Sequence, residues 1–202
     1  MTLVDSIGIR RLGRVAYLPT LEAMRSFTSQ RNESSADEFW LLEHPPVYTL
    51  GQGAEHGPLG NDIPLVKADR GGDITYHGPG QLVVYTLVDL ARRGIRVRQF
   101  VALLEQAVID LLAGRGERRA GAPGVYVDGA KIAALGIRVR QGRAYHGLAL
   151  NVDMDLLPFR AIDPCGYPGL AVTQTKDIGI SETISVLGER LAALLVEKIE
   201  NA

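Results

Sequence analysis

A chain of 202 residues, 46% apolar and 22% charged, is long enough to bury a substantial core in one domain spanning 1–202, and its make-up excludes disordered and fibrous classes. Apolar runs such as 82–88 and 191–196 are too short to cross a bilayer, and the opening MTLVDSIGIRRLG has no secretory apolar stretch, so a cytoplasmic protein without a membrane partner is expected. The single cysteine excludes an intrachain disulfide and clustered-cysteine zinc sites.

The net charge of −1 conceals a local excess, because residues 92–143 hold eleven basic against four acidic side chains. Two readings are open: a docking face for an acidic partner, or charges spread over separate solvated faces. No nucleic-acid-binding motif accompanies them, so no nucleic-acid partner is expected.

In chain order, residues 19–30 space Leu21, Met24 and Phe27 three apart, as a short amphipathic helix requires. Strands are predicted at 37–42 and 47–50, on either side of Pro45-Pro46, followed by a loop over 51–64. The stretch 70–81, RGGDITYHGPGQ, sets four glycines and a proline around a strand-like core at 73–77. Glycines there either turn a hairpin or let another molecule approach the backbone closely, with Arg70, Tyr76 and His77 as polar handles. An apolar strand follows at 82–87.

Residues 98–112 place Val101, Leu104, Val108, Leu111 and Leu112 on one helical face, and 181–199 form a second helix with Ser181 as its N-cap. Between them lies a meander: a strand at 124–127, an Asp128-Gly129 turn, a strand at 130–140, a Gln141-Gly142 turn, and a strand at 143–152. Strands and helices lack regular βαβ spacing, so the fold class expected is α/β in the α+β sense, a mixed, mostly antiparallel sheet flanked by helices.

Strict alternation along 130–140 puts Lys131 on one face with Ala133, Leu135, Ile137 and Val139. The chain has four lysines against eighteen arginines, so this lysine is an unusual choice of cation. It either snorkels to solvent from the strand's start, or serves as a base or a charge partner for an anion. Cys165 lies in the turn-forming step Pro164-Cys165-Gly166, where a thiol is either inert or, beside a cation, a reactive thiolate. His44 and His56 read as structural or solvated. His146 falls opposite Ile137, about 20 Å along the strand from Lys131, as a wall of the same pocket rather than a direct partner.

Three blocks, RGGDITYHGPGQ at 70–81, PGVYVDGAKIAALGIRV at 123–139 and HGLALNVDMDLLPFRAIDPCG at 146–166, together with Thr173, resemble the lipoyl(octanoyl) transferases, also called the lipoate-protein ligase B family. The resemblance implies a fold similar to the catalytic domain of biotin and lipoate ligases. It implies transfer of an octanoyl group from octanoyl-acyl carrier protein to a lysine of lipoyl domains, in 2-oxoacid dehydrogenases and the glycine-cleavage H protein. Cys165 would carry the acyl thioester and Lys131 would lower its pKa. Acyl contacts would fall on Arg70, Gly71, Gly72, Asp73, Ile74, Thr75, Tyr76 and His77, on Ala134, Leu135 and Gly136, and on Gly147, Leu148 and Ala149. Ala134, Leu135, Leu148 and Ala149 would form an apolar wall. No cofactor and no metal are implied, and a monomer is expected. The alternative is an ATP-dependent lipoate or biotin ligase, although the GRGRxG motif of biotin ligases is absent and Tyr76-His77 runs on into Gly-Pro-Gly-Gln.

Overall fold

The computed structural model describes residues 6–54, 57, 62–162 and 169–202. Among them the large sheet runs β1-β2-β6-β9-β8-β7. Its strands are β1 (Ile7–Arg14), β2 (Asp37–Glu43), β6 (Gln81–Asp89), β7 (Gly124–Val127), β8 (Ala130–Arg140) and β9 (Arg143–Asn151). Within this sheet β1 and β2 pair in parallel and the other neighbours are antiparallel. A small sheet, β4-β3-β5, is built from β3 (Val47–Leu50), β4 (Leu65–Lys67) and β5 (Ile74–His77). In it β3 and β4 pair in parallel and β3 and β5 antiparallel. This is the mixed, mostly antiparallel architecture expected.

Among the described residues four α-helices cover the sheets: α1 (Tyr17–Gln30), the short α2 (Leu90–Arg93), α3 (Val97–Leu111) and α4 (Ile184–Glu200). One face of the large sheet carries Phe39, Leu82, Val84, Leu148 and Leu150 into a core closed by Leu104 and Val108 of α3 and Leu187 and Leu191 of α4. The other face carries Trp40, Leu42, Val83 and Tyr85 against Leu21 and Met24 of α1. Among the described residues no helix is long and apolar enough to cross a membrane.

Both meander turns take the predicted form. Asp128 and Gly129 have φ of 49° and 83°, and Gln141 and Gly142 have 51° and 75°, as a two-residue type I′ turn requires. Several elements differ from the sequence reading, and β4 and α2 were not predicted. Helix α1 begins at Tyr17, two residues before Pro19, which is tolerated because a first-turn N–H has no intrahelical acceptor. Helix α4 is capped by Thr183, whose hydroxyl accepts from the Val186 N–H, and not by Ser181. Strand β1 was not predicted: its sequence, IGIRRLGR, has weak alternation because it lies at the sheet edge with mostly exposed side chains.

Candidate active site

Between the small sheet and the β6–β9–β8 face of the large one lies a cleft with about 730 Å³ of empty space, counting its open mouth. Of the predicted residues it is lined by Lys131, by Arg70, Gly72, Asp73, Ile74, Thr75 and His77, by Ala134, Leu135 and Gly136, and by Gly147, Leu148 and Ala149. Two do not line it. Tyr76 packs against Tyr48 and Phe159, and the Gly71 N–H is spent on Ile137 O at 3.0 Å. Cys165 and His56 lie outside the described residues.

Lys131 reaches the cleft because β8 does not alternate strictly. Val125 pairs with Ala133 but Tyr126 pairs with Lys131, so the ladder passes over Ile132 in a β-bulge. Ile132 and Ala133 consequently both enter the core under α3 and α4. Lys131 is thereby released to the opposite face, correcting the placement that simple alternation predicts. There it is 3% exposed, donates to Pro123 O at 3.2 Å, and holds its Nζ 5.3 Å from the Tyr126 ring centroid, a cation–π contact. The chain beyond Cys165 returns to the same point: Lys131 N donates to Ala171 O at 2.8 Å and Thr173 N to Lys131 O at 2.9 Å. Phe159 and Val172, on either side of Cys165 in sequence, both line the cleft.

A chain of buried polar groups crosses this end of the cleft. Gln81 Nε2 donates to Tyr76 O at 3.2 Å and to Asn151 Oδ1 at 3.0 Å, so its Oε1 is left to accept from His77 Nδ1–H at 2.7 Å. Asn151 Nδ2 in turn donates to Thr173 O at 2.9 Å. Burial pushes His77 down to about 3, aided by the nearby His44 and opposed by the Gln81 hydrogen bond, so the ring is neutral at pH 7 with its lone pair on Nε2. Sequence reasoning assigned no role to Gln81 or Asn151. Their signal was present: each is a lone polar side chain bordering a run of apolar strand residues.

His146 lines the other end of the cleft by a second backbone irregularity. By alternation it would follow Ala144 and Leu148 into the helix-covered core, but its φ of 62° turns it toward Tyr145 instead. Its Nε2–H donates to Asp69 Oδ1 at 2.8 Å, while Tyr145 Oη donates to Asp69 Oδ2 at 2.7 Å. Burial lowers the His146 pKa although Asp69 opposes it, and the imidazole is neutral. Burial works against the charge on Asp69, yet hydrogen bonds from His146, Tyr145 and Arg25 outweigh it and hold the carboxyl well below its usual range. His44 is buried and structural as expected: Nδ1–H donates to Val15 O and Nε2 accepts from Tyr85 Oη, both at 2.7 Å.

The floor of the cleft is made of small residues. Ala134 pairs with Ala149, and Gly136 with Gly147, across β8 and β9. Ala134, Leu135, Leu148 and Ala149 all line the cleft, and Leu135 and Leu148, paired with each other, also pack into the helix-covered core. Ile74, Val83 and Phe159 supply further apolar surface.

The basic segment does not form one face. Arg92 and Arg93 bind the buried Asp37 together with Arg31; Arg118 binds Glu105, Arg143 binds Asp89, and Arg119 lies over Tyr126. The reading of charges distributed over separate surfaces is the one the structure supports.

The fold is that of the lipoate and biotin ligases. Superposition on lipoate-protein ligase A bound with ATP gives a TM-score of 0.76 at 16% identity, covering 95% of this chain and 84% of that one. The biotin protein ligase from Aquifex aeolicus with biotin and ATP gives 0.61 at 12% identity, covering 96% and 71%. The family model described as lipoyl protein ligase A/B catalytic domain matches residues 16–192. Closer in sequence are proteins named octanoyltransferase. That of Aromatoleum aromaticum is 64% identical, covering 94% of this chain and 84% of the relative. Those of Thiobacillus denitrificans and Pseudomonas entomophila are 65% and 56% identical, covering 89% and 97% of this chain and 84% and 94% of the relatives. The chain belongs to the lipoyl protein ligase A/B catalytic-domain family and, within it, to the octanoyltransferases.

Proposed function

We propose that this protein transfers an octanoyl group from acyl carrier protein to a lysine of a lipoyl domain, through an acyl thioester on Cys165. The acceptors are the lipoyl domains of 2-oxoacid dehydrogenases and the glycine-cleavage H protein. The observation that carries the reading is the position of Lys131, a buried cation turned onto the cleft face where the chain on both sides of Cys165 meets that cleft. The small-residue floor and the apolar surface of Ile74 and Val83 suit an alkyl chain. The names of the curated relatives support the same chemistry.

In the first half-reaction the Cys165 thiolate, paired with the Lys131 ammonium, attacks the carrier thioester carbonyl. The bond from that carbonyl to the phosphopantetheine sulfur breaks, and the departing thiolate takes a proton from Lys131 Nζ. In the second, the acceptor lysine returns a proton to Lys131 and its free amine attacks the acyl carbonyl. The amide forms as the bond to Cys165 sulfur breaks, and the remaining amine proton passes to water. A thioester is already activated, so this cycle consumes no ATP.

Incubated with octanoyl carrier protein and no acceptor, the purified protein should gain one octanoyl group by intact-mass spectrometry, and Cys165→Ala should gain none. An adduct that persists in Cys165→Ala refutes the mechanism. Octanoylation of a lipoyl domain by Cys165→Ala from free octanoate and ATP would favour the ligase chemistry instead.

A further inference from the structure

The end of the cleft remote from Lys131 is closed by three side chains, each fixed by its own hydrogen bonds. The Arg70 guanidinium donates to Thr49 O at 2.7 Å, Thr49 Oγ1 at 2.8 Å and Gly71 O at 3.0 Å. Its stem lies over Gly136, where a Cβ would stand 3.2 Å from Arg70 Cδ and 3.0 Å from Gly71 O. Tyr85, opposite Gly147, is held by His44, and His146 by Asp69. Arg70, Tyr85 and His146 all line the cleft, so its alkyl-compatible floor ends at a polar wall. The wall also has little freedom to yield: Arg70 and His146 are 8% and 1% exposed, and a left-handed φ at a bulky residue persists only where its surroundings hold it.

We infer that this wall is a gauge that sets the length of the acyl chain, with His146 and the Arg70–Gly136 contact as its specificity-determining parts. The inference rests on the acyl-transfer reading above. Along β8 the floor from Lys131 to Gly136 spans five residues, about 15 Å once the bulge is allowed for. A C–C bond of about 1.52 Å advances an extended chain by about 1.25 Å, so an eight-carbon acyl group occupies roughly 9 Å. The remainder accommodates the thioester and its contact with Lys131. A twelve-carbon chain, roughly 14 Å long, would press its last methylenes into the wall. There they would have to break hydrogen bonds of buried polar groups or leave the cleft.

The test is the transfer rate from carrier proteins loaded with acyl chains of six to fourteen carbons, for the wild type and two variants. For the wild type, kcat/KM should fall at least about tenfold between the eight- and twelve-carbon donors, as steric discrimination at a fixed wall allows. His146→Gly keeps the positive φ and removes the ring, so its preference should move toward ten and twelve carbons. Gly136→Ala pushes the Arg70 stem into the cleft and should move the preference toward six. A wild type that transfers dodecanoyl as readily as octanoyl overturns the gauge, as do folded variants whose profiles match the wild type. Failure of the wild type to transfer any acyl chain would instead count against the acyl-transfer reading, so the two failures are distinct.

Discussion

Lys131 stands directly across from Tyr126, its Nζ 5.3 Å from the ring centroid, because the β7–β8 ladder skips Ile132. One extra residue in the strand therefore decides whether Lys131 points into the core or into the cleft.

Replacing Lys131 by Met keeps a long side chain in this buried position but removes the charge and the proton site. A general acid–base group is worth about 10²- to 10⁴-fold, so kcat/KM for octanoyl transfer should drop by that order, while the lost contacts to Pro123 O and Tyr126 lower the melting temperature only slightly. Turnover assays beside a melting curve check both halves; retained turnover would remove Lys131 from the mechanism.

Asn151→Leu should leave Gln81 Nε2 short of one acceptor and Thr173 O without its donor. Each buried group left unpaired costs about 1–3 kcal/mol, so stability should fall by a few kcal/mol in urea unfolding. Thr173 is also the residue bonded to Lys131 O, so kcat should fall more than KM rises. An unchanged kcat would show that this network serves stability alone.

Asp37 is fully buried and receives Arg31, Arg92 and Arg93. Burial opposes its charge, but the Arg31 hydrogen bond, the Asp89 N–H and Arg93 outweigh this and lower its pKa. Asp37→Ala strands buried guanidinium charge and should destabilise the protein by about 3–5 kcal/mol. The cluster lies away from the cleft, so activity per folded molecule should be unchanged; activity lost at full stability would contradict this.

His44 is pushed down to about 4 and His77 to about 3, in both cases chiefly by burial. For a depressed histidine the unfolded chain binds more protons below its own pKa of about 6.5. The stability contribution is therefore complete above that pH and is lost on acidification, by about 1.4 kcal/mol per pH unit for each histidine, until the folded pKa is reached. Urea midpoints should fall steadily from pH 6.5 toward 4. His44→Gln should reduce that slope, with His77 and His146 supplying the remainder, and a slope that does not change would place the titration elsewhere.

Much of the fold was legible because it follows from local chemistry. Asp128-Gly129 and Gln141-Gly142 turn the chain with paired positive φ values wherever they stand, and two such turns fix the register that sets His146 opposite Ile137. The periodicity of Leu104, Val108 and Leu111 marks a helix with one buried face. The motif 70–81 and the lysine at 131 stood out for their residue types alone, and the structure brings both to one cleft.

What the tertiary structure decided was the face each polar group shows. Alternation sends both Lys131 and His146 into the helix-covered core. A bulge at Ile132 and a left-handed φ at His146 turn both onto the cleft face instead. Neither irregularity has a local sequence signal, because each is held by partners far along the chain: Ala171 and Thr173 for Lys131, Asp69 for His146. In the same way Arg70 stands out in sequence as a polar handle; it lines the cleft with its guanidinium tied to Thr49 and its stem over Gly136. Turns and periodicity are properties of neighbouring residues. The direction of a buried charge is set by whichever distant groups can satisfy it, and only the folded chain brings those groups together.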